Sequence, residues 1–231
     1  MDNGYFKTVL LVEDEGLTRS AMKTLILANE PCLNIDEAEG YEHAICRLES
    51  ASYDLVFLDY RLKAVRTGLD LLKWIKEQDH EVHCIMLSGQ DDRDTVLECI
   101  KAGACGFISK ASEEGGAVFQ EALKTILSGR IYLPNTVLGK GGHSPQPTSN
   151  NRGIPVETLN LPPRLTETLR YVLQGLSNKA IARKMNITEN TAKEYSSDLL
   201  ARFNVTRRTF LIVEMARRGI EIPKPMTPTP T

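Results

Sequence analysis

Residues 8–14 read TVLLVED, an apolar run that stops abruptly at two carboxylates. The run is too short for a helix and shows no polar alternation, so it reads as a strand buried on both faces. Such strands belong to parallel sheets, whose neighbours are joined by long crossovers, usually helices. The chain that follows meets this requirement. A helical pattern near Leu17–Ala28 comes next, then a strand at Leu33–Glu37 and a helix near Tyr41–Ala51. Strands at Leu55–Leu58, Val82–Leu87 and Cys105–Ile108 precede helices near Leu69–Glu77, Asp92–Ala102 and Ala117–Leu127. Five β-α units predict an α/β, doubly wound, five-stranded parallel sheet with helices on both faces. In such sheets the chemistry lies beyond the carboxyl ends of the strands.

The pattern then fails. PNTVLGKGGHSPQPTSNNRGIP, from Pro134 to Pro155, is dense in Gly, Pro, Ser and Asn. It offers little apolar surface to offset its ordering entropy and reads as a flexible linker. Beyond it no strand pattern returns. Arg164–Gln174 is a helix closed by Gly175, and Ser177 caps a second, Asn178–Met185. Asn186-Ile187 make a tight turn, Thr188 caps a third helix to Phe203, and Thr206 caps a fourth to Arg218, closed by Gly219. This is an all-α, four-helix domain with a helix-turn-helix at its centre. The division is therefore 1–133, a linker at 134–160, a helical domain at 161–222 and a disordered tail at 223–231.

The net charge of −2 hides two opposed halves. Residues 1–133 carry 14 basic and 23 acidic side chains, whereas residues 134–231 carry 14 basic and 7 acidic ones. The basic half is a candidate for nucleic acid. No apolar run approaches the roughly 20 residues of a membrane span. No basic-then-apolar leader is present, so a cytoplasmic protein is expected. The five cysteines contain no C-x-x-C pair and sit in apolar-patterned segments, which argues for reduced thiols over disulfides or zinc. His80 and His83 read as solvated loop residues.

Reading the strand ends places Glu13-Asp14 after strand one, Asp59 after strand three, Ser88 after strand four and Lys110 just beyond strand five. Three converging carboxylates repel unless a cation neutralises them, and all-oxygen ligands suit Mg²⁺. A carboxylate so placed can attack an activated phosphoryl group, because that transfer needs mainly alignment and charge neutralisation. Ser88 and Lys110 would bind the new phosphate.

The stretches LLVEDEGLTRS, YDLVFLDYRL, MLSGQDD and AGACGFISK make residues 7–130 similar to a two-component receiver domain, which has a flavodoxin-like fold. The resemblance implies that Asp59 is the phosphoacceptor and that Glu13, Asp14, Asp59 and the Arg61 backbone carbonyl hold Mg²⁺. It also implies that Ser88 is the switch hydroxyl, Phe107 the aromatic that turns inward on phosphorylation, and Lys110 the phosphate partner. Two stretches depart from the family. The run after Asp59 lacks the usual Met-Pro pair and reaches Gly68 one residue late, and Gly115-Gly116 stand where the fifth helix should begin.

Residues 161–219 resemble the LuxR-type helix-turn-helix of NarL/FixJ regulators, most closely in GLSNKAIARKMNITENTAKEY, with support from LPPR and LLARFNVTRRT. Ala180, Ile181, Met185, Ala192, Leu199 and Phe203 form the inward stripes. Asn190, Lys193, Glu194 and Ser197 then face a major groove, while Ser177, Asn178, Lys179 and Thr188 sit at helix N-termini that can hold DNA phosphates. Tyr195 stands where the family usually has histidine, and Glu194 and Asp198 bring negative charge to the reading face.

The expected function is a phosphorylation-controlled, DNA-binding response regulator. A sensor histidine kinase would donate the phosphoryl group, and double-stranded DNA would be the target. A homodimer would form on phosphorylation. Beyond transfer to its own Asp59 and its hydrolysis, no enzyme activity is expected. The alternative is a receiver-gated protein-interaction module whose degenerate helix-turn-helix does not bind DNA.

Overall fold

The computed structural model describes residues 6–63, 65–78, 80, 82–110, 116–127, 131–138 and 153–221. Strands β1 (Thr8–Val12), β2 (Asn34–Ala38), β3 (Leu55–Asp59), β4 (His83–Ser88) and β5 (Gly106–Ser109) form one parallel sheet in the order β2-β1-β3-β4-β5. Every residue of β3, β4 and β5 is buried, which explains their unbroken apolar runs. The edge strand β2 is partly wet and correspondingly polar, with Asn34 exposed and Ile35 and Ala38 buried. Helices α1 (Gly16–Asn29), α2 (Tyr41–Ser50), α3 (Gly68–Glu77), α4 (Arg93–Ala102) and α5 (Gly116–Leu127) connect and cover the strands. The strand order reverses between β1 and β3, and a ligand crevice is expected at that switch point. Glu13 and Asp14 follow β1, and Asp59 is the last residue of β3.

The C-terminal unit holds α7 (Pro163–Leu173), α8 (Asn178–Met185), α9 (Glu189–Arg202) and α10 (Arg208–Arg217), preceded by a short helix α6 (Asn135–Leu138) and a 3₁₀ turn at Val156–Leu159. Helix α7 starts on a proline, whose missing N–H costs nothing in a first turn. Gly175 at φ 79 ends it, with its N–H on the Val172 carbonyl and the Leu176 N–H on that of Tyr171, the paired bonds of a Schellman motif. Asn186, at φ 52, makes the turn between α8 and α9.

Several expectations are corrected. The linker does not start at Pro134, because Val137 and Leu138 of α6 are buried. Nor does it last to residue 160. Val156 is buried, and Ile154 bridges to Ile220, accepting from Glu221 N at 3.0 Å and donating to Gly219 O at 2.9 Å. These apolar residues lack periodicity in sequence and find their partners only in the fold. The centre of the expected linker, 139–152, and the expected tail lie outside the described residues, as does Gly115. Gly116 begins α5. His83 is not solvated; it is buried in β4, with Nδ1 3.1 Å from the Asp54 carbonyl. Cys32 and Cys46 are exposed and Cys84, Cys99 and Cys105 buried, all five as free thiols. Thr206 does not cap α10; Arg207 occupies that position without a side-chain cap bond. Among the described residues no helix is long and apolar enough to cross a membrane.

The two units touch at the amino edge of the sheet, opposite Glu13 and Asp59. Helix α10 packs on α4 and α6. Lys76 Nζ donates to Val82 O at 3.0 Å within the first unit and to Gln174 O at 3.2 Å in the second. Arg217 donates to the Leu138 carbonyl at 2.6 Å. The backbones meet at Gly103 and Gly175, where a Cβ on Gly175 would stand 2.2 Å from the Gly103 oxygen. Beside this contact desolvation lowers the Arg208 pKa to about 10, which leaves the guanidinium charged at neutral pH, donating to Val172 O at 3.0 Å.

Candidate functional site

Carboxylate oxygens of Glu13, Asp14 and Asp59 lie within 4.8 Å of one another at the carboxyl edge of β1 and β3. Glu13 is 2% exposed and Asp59 7%. Such a cluster needs positive charge, and Lys110 supplies it. Its Nζ lies 2.5 Å from Glu13 Oε2 and 2.8 Å from Asp59 Oδ1. The lysine is aimed by its own backbone, whose N–H donates to Ser88 O at 2.7 Å and so continues the β4–β5 ladder beyond the paired residues. Burial pushes the Glu13 carboxyl above its ordinary value, and the hydrogen bond and charge of Lys110 oppose that shift. Asp14 accepts from the Lys63 N–H at 2.9 Å, with the Lys63 ammonium 3.7 Å away. The oxygen-rich donor set and its charge suit a hard divalent cation.

Ser88 is buried one residue past the Asp59↔Leu87 register, and its Oγ accepts from Gln90 N at 3.0 Å. Phe107 pairs with Met86 in the sheet and is fully buried. The expected inward turn of this ring therefore has no outward starting point here, because the aromatic is already in the core; its backbone N–H donates to the Tyr132 carbonyl at 3.0 Å. Arg61 is exposed, two residues past Asp59.

The longer run after Asp59 is accommodated without disturbing the acceptor. Val65 is fully exposed, so the loop bulges into solvent. It returns through a capping box in which Thr67 and Asp70 satisfy each other's backbone N–H groups. Gly68 then lies directly on the acceptor's backbone: a Cβ there would be 1.9 Å from the Asp59 carbonyl oxygen. That contact, rather than the count of intervening residues, requires glycine at this place.

On the second unit, Asn190, Lys193, Glu194 and Ser197 are all exposed on α9, and Lys179 is exposed at the start of α8. Ala180, Ile181, Met185, Ala192 and Leu199 are buried as expected, while Phe203 is half-buried beneath the Arg218 guanidinium, 5.1 Å from its ring centre. The hydroxyls of Ser177 and Thr188 cap α8 and α9, accepting from Ala180 N and Thr191 N at 3.2 Å each. Asn178 Oδ1 accepts from Ser196 at 2.9 Å and so ties α8 to α9. Lys193 is paired with Glu189 at 3.0 Å, one helical turn back. The sequence alone assigns no site role to Ser196, Glu189, Lys63 or Arg19. The i,i+4 spacing of Glu189 and Lys193 was the one signal among these that patterning alone carried.

The family model of the response regulator receiver domain matches residues 9–118, and that of the bacterial regulatory proteins of the luxR family matches residues 159–215. The chain belongs to the NarL/FixJ response regulators, which join a receiver to a LuxR-type DNA-binding domain. It is thus a DNA-binding transcription regulator of the two-component class. It is 26% identical over 219 residues to the transcriptional regulatory protein LnrK of Bacillus subtilis (strain 168), covering 93% of this chain and 98% of that protein. It is 28% identical over 209 residues to the nitrate/nitrite response regulator protein NarL of Escherichia coli (strain K12), covering 90% and 94%. A crystal structure of a LuxR family DNA-binding response regulator from Silicibacter pomeroyi is 29% identical, with a TM-score of 0.47, covering 56% of this chain and 98% of that one.

Proposed function

We propose that the protein takes a phosphoryl group on Asp59 from a sensor histidine kinase in the cytoplasm and thereby controls its DNA binding, as a homodimer when phosphorylated. The observation that carries this reading is the convergence of Glu13, Asp14 and Asp59 within 4.8 Å, with the Lys110 ammonium on Asp59. Glu13, Asp14, Asp59 and the Arg61 carbonyl would hold Mg²⁺, which when bound supplies positive charge for phosphoryl oxygens. Asp59 is the nucleophile, held by burial and by the Gly68 contact behind it. Lys110 is drawn from the carboxylates to the new phosphate, which carries roughly −1.5 to −2 charge at pH 7. Ser88 donates its hydroxyl to a phosphate oxygen. No chemistry beyond this transfer and its hydrolysis is proposed for the chain. Incubation with a small phosphodonor is expected to add one phosphoryl mass in the presence of Mg²⁺ and none in Asp59→Ala. Persistence of the gain in that variant would move the acceptor elsewhere.

A second reading, a protein-contact module, is favoured by the acidic reading face, where Glu189 pairs with Lys193 and Glu194 and Asp198 are exposed. Fluorescence anisotropy on a target and a scrambled duplex at two salt concentrations separates the two. If Lys193 meets phosphate, Lys193→Ala weakens both duplexes and lowers the salt slope by about 1. If it reads a guanine, the loss is about 1–3 kcal/mol on the target alone. Glu194→Ala raises affinity for the scrambled duplex by removing a charge that repels phosphate, unless the residue reads a cytosine, in which case binding to the target falls. No change from either substitution on either duplex would favour the protein-contact reading.

A further inference from the structure

Glu13 and Asp14 are neighbours in the chain, and neighbouring side chains of an extended strand point to opposite faces. Both nevertheless present a carboxylate to the same cluster as Asp59. The backbone achieves this by leaving the sheet: the β1–β2 ladder ends at Val12↔Ala38, and the chain bends at Asp14. The Glu13 N–H still donates to the Ala38 carbonyl at 3.1 Å. Its carbonyl has no place in the ladder. A carbonyl there needs a donor, and the direction of that donor sets the bend.

Arg19 is that donor. From the first turn and a half of α1 it reaches back, and NH1 donates to Glu13 O at 2.7 Å. The same guanidinium donates through Nε to Glu37 at the end of β2, at 3.1 Å, and through NH2 to Glu39 at 3.3 Å. Its side chain is 13% exposed, so water competes little for these bonds. Lys23 holds Glu37 from the other side at 2.5 Å, and the Glu37 carboxyl lies below its ordinary value through the Lys23 hydrogen bond first and the Arg19 contacts after it. Glu37 and Glu39 offset the guanidinium charge, so Arg19 acts on the cluster through geometry and delivers little net charge to it.

From this arrangement we infer that Arg19 is a positioning residue for the Glu13–Asp14–Asp59 cluster, fixing the bend that lets two adjacent carboxylates serve one divalent cation. The inference rests on the proposed Mg²⁺-dependent reading of that cluster. A fork of N–H groups bridging three acceptors, one after β1 and two at the end of β2, is a task for arginine, which a single ammonium performs in part. Outer residues that orient metal ligands typically contribute 10–100-fold in affinity.

Calorimetric titration of the full chain with MgCl₂ tests this, alongside thermal melting in EDTA to establish that each variant is folded. Arg19→Gln is expected to raise the Mg²⁺ dissociation constant about 10-fold or more. Arg19→Lys should recover part of the loss. Lys23→Ala, which breaks the neighbouring ion pair but leaves the Glu13 carbonyl bonded, should keep the wild-type affinity. A purely structural role would lower the melting temperature of Arg19→Gln and leave its Mg²⁺ affinity unchanged, which would overturn the inference. Where Arg19→Gln does not fold, Arg19→Lys decides: wild-type affinity in that variant overturns the inference and a weakened one supports it. Equal weakening by Lys23→Ala would also overturn it. A wild-type chain that binds Mg²⁺ but gains no phosphoryl mass defeats the Asp59 assignment and leaves the Arg19 comparison readable. A wild-type chain that binds no Mg²⁺ defeats both.

Discussion

Lys110→Met is expected to cost about 3 kcal/mol of folding stability at neutral pH without divalent cation, the low end for breaking a buried ion pair because the lysine keeps some solvent contact. The ammonium spans Glu13 and Asp59 at 2.5 and 2.8 Å, and both carboxylates are buried. Methionine fills the stem's volume and withdraws the charge, leaving two buried anions facing each other. Glu13 sets the pH dependence, because its carboxyl already lies above the ordinary value through burial, and loss of Lys110 raises it further. A carboxyl raised in the folded state favours folding when protonated. The deficit is therefore full above the raised Glu13 pKa and falls away as pH drops toward 4.5, the ordinary value. Millimolar MgCl₂ should restore part of the stability, since a cation that binds the folded cluster stabilises it by mass action. Urea titrations of both proteins at neutral and acidic pH, with and without MgCl₂, measure all three effects. Equal stability of variant and wild type at neutral pH without Mg²⁺ would show that the carboxylates do not depend on this lysine.

Gly175→Ala is expected to separate the two units. The residue has φ 79, where a Cβ costs about 1–2 kcal/mol, so the end of α7 is weakened. The larger effect is collision, because the new carbon would stand 2.2 Å from the Gly103 oxygen and 3.0 Å from the Gly103 carbonyl carbon. Backbone cannot yield as a flexible side chain does, and Gly103 is itself held at φ 109 as the cap of α4. The contact opens, and the Lys76–Gln174 bond is lost with it. Gly175→Asn separates the two causes, since asparagine tolerates the left-handed region but carries the same Cβ. Both variants should show a larger radius of gyration by small-angle scattering, with Asn losing less helical stability. A scattering profile identical to wild type in both would place the domain contact elsewhere. The exposed side chains of α9 lie outside this contact, so opening it is expected to free α10 and α4 without changing access to Lys193.

Strands and helices were legible because burial on both faces leaves an apolar run and amphipathic helices leave a period. The observed ends of the five strands fall within a residue of those expected. The strand-end chemistry was legible for the same reason, since once the β-α order is known the residue after each strand is known. Reading failed where the signal was a single side chain finding a distant partner. Val137, Leu138 and Val156 sit among Gly, Pro and Asn without any period, and their burial comes from α10 and its neighbours. His83 carries a polar ring, yet its strand β4 lies between β3 and β5 inside the sheet. The longer loop after Asp59 suggested a shifted Gly68, but the bulge at Val65 absorbs the difference.

The sequence by itself determined the five β-α units, the four-helix unit after them and the placing of Glu13, Asp14, Asp59, Ser88 and Lys110 at one edge, because hydrophobic period and chain order are local properties written residue by residue. Only the tertiary structure decided that Lys110 neutralises Glu13 and Asp59, that Arg19 holds the bend beside them, and that Gly103 and Gly175 let the two units meet. Each of these depends on distances between segments far apart in the chain. Such distances are set by packing of the whole core and leave no period in the residues concerned.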